Sequence, residues 1–255
     1  MRSIYYITNP GGQLPVAQEQ VKAIGDAIES LWMIAIRSQS SWSLNHRLFR
    51  QVPPDGRADD TRPPQAYSYQ HLLHVSHVTP DRTAIVIQSP SQPATSGKPT
   101  VVSIPLGHTD AHSAMLVNQM ALLWVPQRIV EVVKGKAYTF PKSDMEIRFG
   151  ELRARRQGPQ TTSITSPGIV LDISLPAGIV DDGRGDTDLN MDSKLDFDVV
   201  QESIRGAWRA LKERLVLGRS EVREVMQLTK DVDGKDELAH EVQLSLWCEA
   251  LSVRS

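Results

Sequence analysis

Residues 124–138 read W-V-P-Q-R-I-V-E-V-V-K-G-K-A-Y, residues 145–160 read M-E-I-R-F-G-E-L-R-A-R-R-Q-G-P-Q, and residues 166–175 read S-P-G-I-V-L-D-I-S-L. All three are extended runs punctuated by glycine and proline, the pattern of consecutive antiparallel strands. None carries a nucleophile, a metal-ligand spacing or a phosphate-binding glycine loop, which puts a binding or scaffolding role ahead of catalysis. Within the second run Met145, Ile147 and Phe149 share one face, whereas Leu152 has the opposite parity. An extra residue near Gly150 would restore the register. A β-bulge is therefore expected there, bending the strand as sheet closure requires.

Toward the N-terminus, residues 3–8 favour a short strand, stopped by Asn9-Pro10. Val21, Ile24, Ile28 and Leu31 recur at helical spacing and predict an amphipathic helix over residues 15–37. Trp42, Leu44, His46 and Leu48 then alternate as in a half-buried strand. Residues 67–78 and 82–88 read as a pair of strands, residues 100–105 as another, and residues 110–123 as an inserted helix capped by Thr109 or Asp110.

Toward the C-terminus, Phe197, Val200, Ile204, Trp208, Leu211 and Leu215 predict a helix over residues 196–217, and a short helix is expected over 220–228. Leu238, Val242 and Leu246, with Leu244, Trp247 and Leu251, define a last helix. It is apolar on two faces, more than one core needs, which leaves one face for a partner. Residues 51–66, 89–99 and 177–195 are polar and rich in proline, glycine or acidic residues and read as mobile loops. The order predicts an α+β fold in which an antiparallel β-barrel or half-barrel is covered by an N-terminal helix, an inserted helix and C-terminal helices, as one domain over residues 1–255.

A net charge of −2 across 255 residues provides no global field for nucleic acid, so no direct sequence-specific nucleic-acid binding is expected. The single cysteine, Cys248, excludes an internal disulfide and lies in an apolar helical pattern, as a buried structural thiol would. Few apolar residues precede Pro10, and no run approaches the ~20 that a bilayer needs. A soluble intracellular chain with no membrane association is the expectation.

The chemistry-bearing groups are sparse. His71, His74 and His77 stand three apart, which on a strand turns the middle one away from the others. His108 and His112 have helical zinc-ligand spacing, but Thr109 stands where the general-base glutamate belongs. Asp231, Asp233 and Gly234 begin like a calcium loop, but His240 occupies the position of its closing glutamate. No metal or cofactor is expected. The strand bearing Glu146, Arg148, Glu151, Arg153, Arg155 and Arg156 suggests a lumen that cradles polyphosphate. Such chemistry needs carboxylates converging on one ion, and the strands contain no Glu-x-Glu pair. Pairing of Glu146 with Arg148 and of Glu151 with Arg153 on shared faces explains the charges better.

Trp124, Arg128, Gly135 and Tyr138, then R148-F-G-E-L-R153, then Gly158-Pro159-Gln160, and Ser166-Pro167-Gly168-Ile169-Val170, joined by the helix around Ile204, Arg205 and Trp208, form a set that resembles the fungal form of Mediator complex subunit 20. The resemblance implies a non-enzymatic coactivator subunit of the Mediator head module, located in the nucleus and regulating RNA polymerase II transcription. It also implies a heterodimer with Mediator subunit 18, attachment through subunit 8 to the other head subunits, and contacts with the TATA-binding protein and RNA polymerase II as further candidates. The family barrel is distantly similar to triphosphate-tunnel enzymes, so a phosphohydrolase is the first alternative, and a nucleic-acid module using Arg153, Arg155 and Arg156 the second. Trp124, Arg128, Arg148, Glu151, Arg153, Gly158 and Pro159 are the candidate partner-binding or structural motif residues.

Overall fold

The computed structural model describes residues 1–52, 67–89, 99–141, 143–155, 164–175, 189–227 and 236–252. Its strands are β1 (Arg2–Thr8), β2 (Ile36–Arg37), β3 (Trp42–Gln51), β4 (Tyr69–Val75), β5 (Arg82–Gln88), β6 (Thr100–Pro105), β7 (Trp124–Phe140), β8 (Met145–Arg155), β9 (Thr165–Ser174) and β10 (Val222–Met226). Its helices are α1 (Leu14–Leu31), α2 (Thr109–Asn118), α3 (Leu189–Arg214) and α4 (Asp236–Leu251). The ten strands form one sheet in the order β10-β1-β9-β8-β7-β3-β4-β5-β6, with β2 attached to β7. Every pairing is antiparallel. The sheet curls without closing, as a half-barrel covered by helices.

Both faces of this sheet are buried, which the alternation in the sequence does not reveal. On the convex side Tyr5, Ile7, Tyr138, Ile147, Phe149, Ile169, Leu171 and Ile173 pack with Ile24 and Ile28 of α1 and Ile204, Trp208 and Leu211 of α3. Tyr5 stacks on Trp208 with ring centroids 4.4 Å apart. Farther along the convex side, Phe49, Leu72 and Ile85 pack with Leu116 of α2. On the concave side Ile4, Trp42, Leu44, Leu73, Val86, Val130, Val132, Leu152 and Val170 surround Leu244, Leu246, Trp247, Cys248 and Leu251 of α4. The last helix therefore lies inside the curled sheet, touching β1 and β10 on one flank and β4 and β5 on the other. Its two apolar faces both belong to this core, so neither is left over for a partner.

Three local expectations are corrected. β8 runs in unbroken register against β9 from Glu146 to Leu152, with no bulge at Gly150. Leu152 changes face because the concave core needs it there. The extra residue lies instead on the neighbouring strand: Glu131 pairs with Arg153 and Lys136 with Phe149, so β7 advances five positions while β8 advances four. That bulge carries Val130 and Val132 to the concave core but Tyr138 and Phe140 to the convex one.

Residues 222–226 form β10 rather than a helix, because they pair with β1 and divide Val225 and Met226 between the two cores. Tertiary pairing overrides local propensity there. Finally, α3 begins at Leu189, inside the loop expected at 177–195. The remainder of that loop, and the loops expected at 51–66 and 89–99 apart from their flanks, lie outside the described residues.

Candidate functional site

The concave interior is where a tunnel enzyme would hold its substrate, and here the chain's own groups occupy it. Trp247 is fully buried, 5.9 Å from Trp42 between ring centroids. The Trp42 indole donates to the Lys136 carbonyl at 3.0 Å and lies directly over Gly135. A Cβ at position 135 would stand 2.2 Å from Trp42 Nε1, so only glycine fits beneath the ring. A Cβ at Gly150 would fall 2.5 Å from Val132 and 3.2 Å from the Gly135 backbone. These two glycines permit the close approach of β7 and β8 beside the bulge.

Arg128 of β7 reaches the end of α4 and donates from its guanidinium to the Leu251 carbonyl. A cation there satisfies a terminal carbonyl and complements the negative end of the helix dipole. Cys248 lies fully buried on the same helix, and burial pushes its thiol pKa upward, so it is a packing group.

Two polar clusters remain inside the curl. At one end His46 Nε2 and His71 Nδ1 lie 2.9 Å apart, and His71 Nε2 lies 3.1 Å from Gln88 Oε1. The amide oxygen can only accept. His71 therefore carries its proton on Nε2 and accepts from His46 through Nδ1. Burial, helped by the neighbouring His71 and Arg128, holds His46 well below its ordinary pKa; burial lowers His71 to about 4. Both rings are neutral at pH 7.

Toward the other end lies Asp172, fully buried on β9. Its carboxylate is 3.2 Å from Arg2 Nε, 3.2 Å from His77 Nε2 and 4.0 Å from Arg148, which is also paired with Glu146. Burial alone would raise the Asp172 pKa. The Arg2 charge, with His77 and Arg148, outweighs burial and holds the group below its ordinary value. Burial lowers His77 despite the attraction of Asp172.

Arg148 is therefore half of a buried charge-balanced cluster. Asp172 and Arg2 were not anticipated as part of it, although a lone acid inside the apolar run I-V-L-D-I-S-L is the signal that could have flagged the site. His77 joins it, whereas His71 and His74 point to opposite faces, as the strand period requires: His74 Nδ1 donates to the Arg82 carbonyl at 3.0 Å.

On the convex side, Glu151 and Arg153 form the second predicted pair, 3.4 Å apart, and Arg155 meets Glu131 at 2.9 Å. Glu151, Arg153, Val133 and Lys134 line a depression of about 200 Å³ at the β7 bulge. This band lies between the area covered by α1 and α3 and that covered by α2. Trp124 packs half-buried against the α2 core. Gly158 and Pro159 lie outside the described residues. Among the described residues no three His, Cys, Asp or Glu side chains are gathered to hold a metal, and no helix is long and apolar enough to cross a membrane.

The motif residues thus divide. Trp42 over Gly135, Tyr138 donating to Glu29 of α1 at 2.6 Å, Arg128 on α4 and Arg148 beside Asp172 hold the fold together. Glu151 and Arg153 face outward. No curated protein gives a significant match to the chain. A family model described as the TATA-binding related factor (TRF) of subunit 20 of Mediator complex matches residues 11–237. That match covers most of the chain, from α1 through β10, so the protein belongs to the Mediator subunit 20 family and is a Mediator subunit acting in transcription.

Proposed function

We propose that the chain is a non-enzymatic structural subunit of the Mediator head module in the nucleus, which helps regulate RNA polymerase II transcription by forming a heterodimer with Mediator subunit 18. On this reading residues 1–255 act as one barrel-like unit. Subunit 8 and the other head subunits are its further neighbours, with the TATA-binding protein and RNA polymerase II as more distant contacts.

The observation that carries the reading is the filling of the concave face by α4, in a chain that belongs to a family of Mediator subunits. With the interior packed by tryptophan, leucine and a neutralised carboxylate, the outer surfaces are left for recognition. Glu151 and Arg153 are the best candidates on the convex side because they are oppositely charged and line a depression, with the Arg153 side chain 36% exposed. Charged pairs of this kind select partners and orient encounter more than they add affinity. A heterodimer of this type should bury more than ~1,200 Å².

The test is co-purification of the full chain with subunit 18. A stable one-to-one complex is expected, weakened at least about tenfold by Glu151→Lys with Arg153→Glu, a loss of ~1.4 kcal/mol. Failure to bind subunit 18 at micromolar concentration would refute the heterodimer. Robust manganese-dependent triphosphate hydrolysis by the same preparation would refute the non-enzymatic role.

A further inference from the structure

The two ends of the sheet are built differently. β10 carries charge: Arg223 pairs with Glu249 of α4 at 3.6 Å, and Glu224 accepts from the Tyr5 hydroxyl at 2.8 Å. α4 also packs against it. β6, T-V-V-S-I-P, has no charged residue and, among the described residues, no strand on its outer side. Val102 on this strand is 53% exposed. Proteins ordinarily blunt such an edge with lysine, bulges or a covering element, because its unpaired backbone groups are a template for another strand.

The phase of the ladder identifies which groups are available. The Leu106 N–H donates to the Asp81 carbonyl at 2.9 Å, and the β5–β6 register is regular from Arg82 with Pro105 to Ile87 with Thr100. Bonded pairs alternate along an antiparallel ladder, so Thr100, Val102 and Ile104 bond to β5 while Val101 and Ser103 direct their N–H and C=O groups outward. Val102 and Ile104 share the convex face, where Ile104 packs against the α2 core.

We infer that the β6 edge is a β-augmentation site that takes an extended, uncharged strand from another Mediator subunit. The incoming strand places apolar side chains beside Val102 and Ile104 on the convex face and small polar ones beside Ser103. Main-chain bonds to Val101 and Ser103 supply the register, and the alternate side chains supply the selectivity. A second copy of this chain is the poorer occupant. Pairing β6 with β6 offers only six residues on each side, short of the ~1,200 Å² a stable interface needs. A subunit already tethered within the same assembly can add one strand without that area. The inference rests on membership of Mediator, and it assigns the surface and the chemistry of the partner.

The experiment compares the purified chain with Mediator isolated through a tag on this chain, reading amide hydrogen exchange at Val101 and Ser103 and photo-crosslinking from position 102. Protection of both amides in the assembly by at least about tenfold, with crosslinks to an extended uncharged segment of another subunit, is the expected result. Ser103→Pro removes one outward N–H without touching a backbone bond to β5, at the cost only of an exposed Arg82 to Ser103 side-chain bond, and Val102→Lys places a charge on the edge. Ser103→Pro should abolish the Val101 protection and the crosslink, and Val102→Lys the protection of both amides, each leaving the thermal melt of the isolated chain within about 2 °C. Free exchange of Val101 and Ser103 in the assembly overturns the inference, as do crosslinks to a second copy or to residues 53–66 of the same chain. If Mediator subunits co-purify and Ser103→Pro changes nothing, the edge assignment fails alone. If none co-purify, the Mediator reading fails and takes the edge assignment with it.

Discussion

β8 contributes two Glu-x-Arg pairs from one strand, and they have opposite fates. Glu146 and Arg148 face the concave interior, where Arg148 shares the fully buried Asp172 with Arg2 and His77. Glu151 and Arg153 face outward at the rim of a depression. The residue types and spacing are identical, and the two pairs are similarly exposed; what separates them is the fully buried Asp172 beside one pair and a surface depression beside the other. A buried charge without its partner retains the full cost of desolvation, whereas an exposed one is solvated by water.

That contrast can be broken first at the group that makes the interior an interior. Trp247→Ala removes the fully buried ring at the centre of the concave core and should cost about 3–5 kcal/mol, measured by urea unfolding. If the loss is below about 1 kcal/mol, α4 is not packed as described. Next, Asp172→Asn leaves Arg2 and Arg148 without their shared counter-charge and should cost ~3 kcal/mol. Adding Arg2→Met should recover part of that loss, and lack of recovery would mean that the charges are not coupled.

Acid sharpens the comparison further. The unfolded chain protonates His46 and His71 below pH 6.5, but the folded chain resists until about pH 4 for His71, and burial also holds His46 well below its ordinary value. Folded-state values below the unfolded one mean that the unfolded chain binds more protons, so stability falls as pH drops through this window. The slope should approach about 1.4 kcal/mol per pH unit for each ring. Asp172 also loses its contribution in acid, but in a lower window, below its ordinary carboxylate range. Replacing His71 with Gln should flatten the melting temperature between pH 6.5 and pH 4; an unchanged slope would assign the acid sensitivity elsewhere. The smallest effect is expected on the convex side. Glu151→Ala with Arg153→Ala should change stability by less than about 1 kcal/mol in thermal melts, and a larger loss would make this pair structural as well.

The sequence carried the pieces of this molecule more faithfully than their faces. Alternation and punctuation marked β7, β8 and β9, and helical spacing marked α1, α3 and α4, because those periods are written in local order. The pairing of Glu146 with Arg148 and Glu151 with Arg153 was also legible, since residues two apart on a strand share a side. What could not be read was which face is covered, because both are. A two-sided sheet lets Leu152 serve one core and Phe149 the other, so a change of parity that resembled a bulge on β8 was a division of labour, with the bulge on β7.

By itself, then, the sequence determined the fold class, the order of most of its elements and the family, since these follow from local periodicity and motif residues, whereas β10 waited on its pairing with β1. Tertiary structure decided what those residues do. The curl of the sheet brings β1, β4, β8 and β9 around one helix, so Arg2, His77, Arg148 and Asp172, distant in the chain, share one buried charge balance. Among the described residues it also leaves β6 with no strand on its outer side, because a sheet that curls without closing must end somewhere.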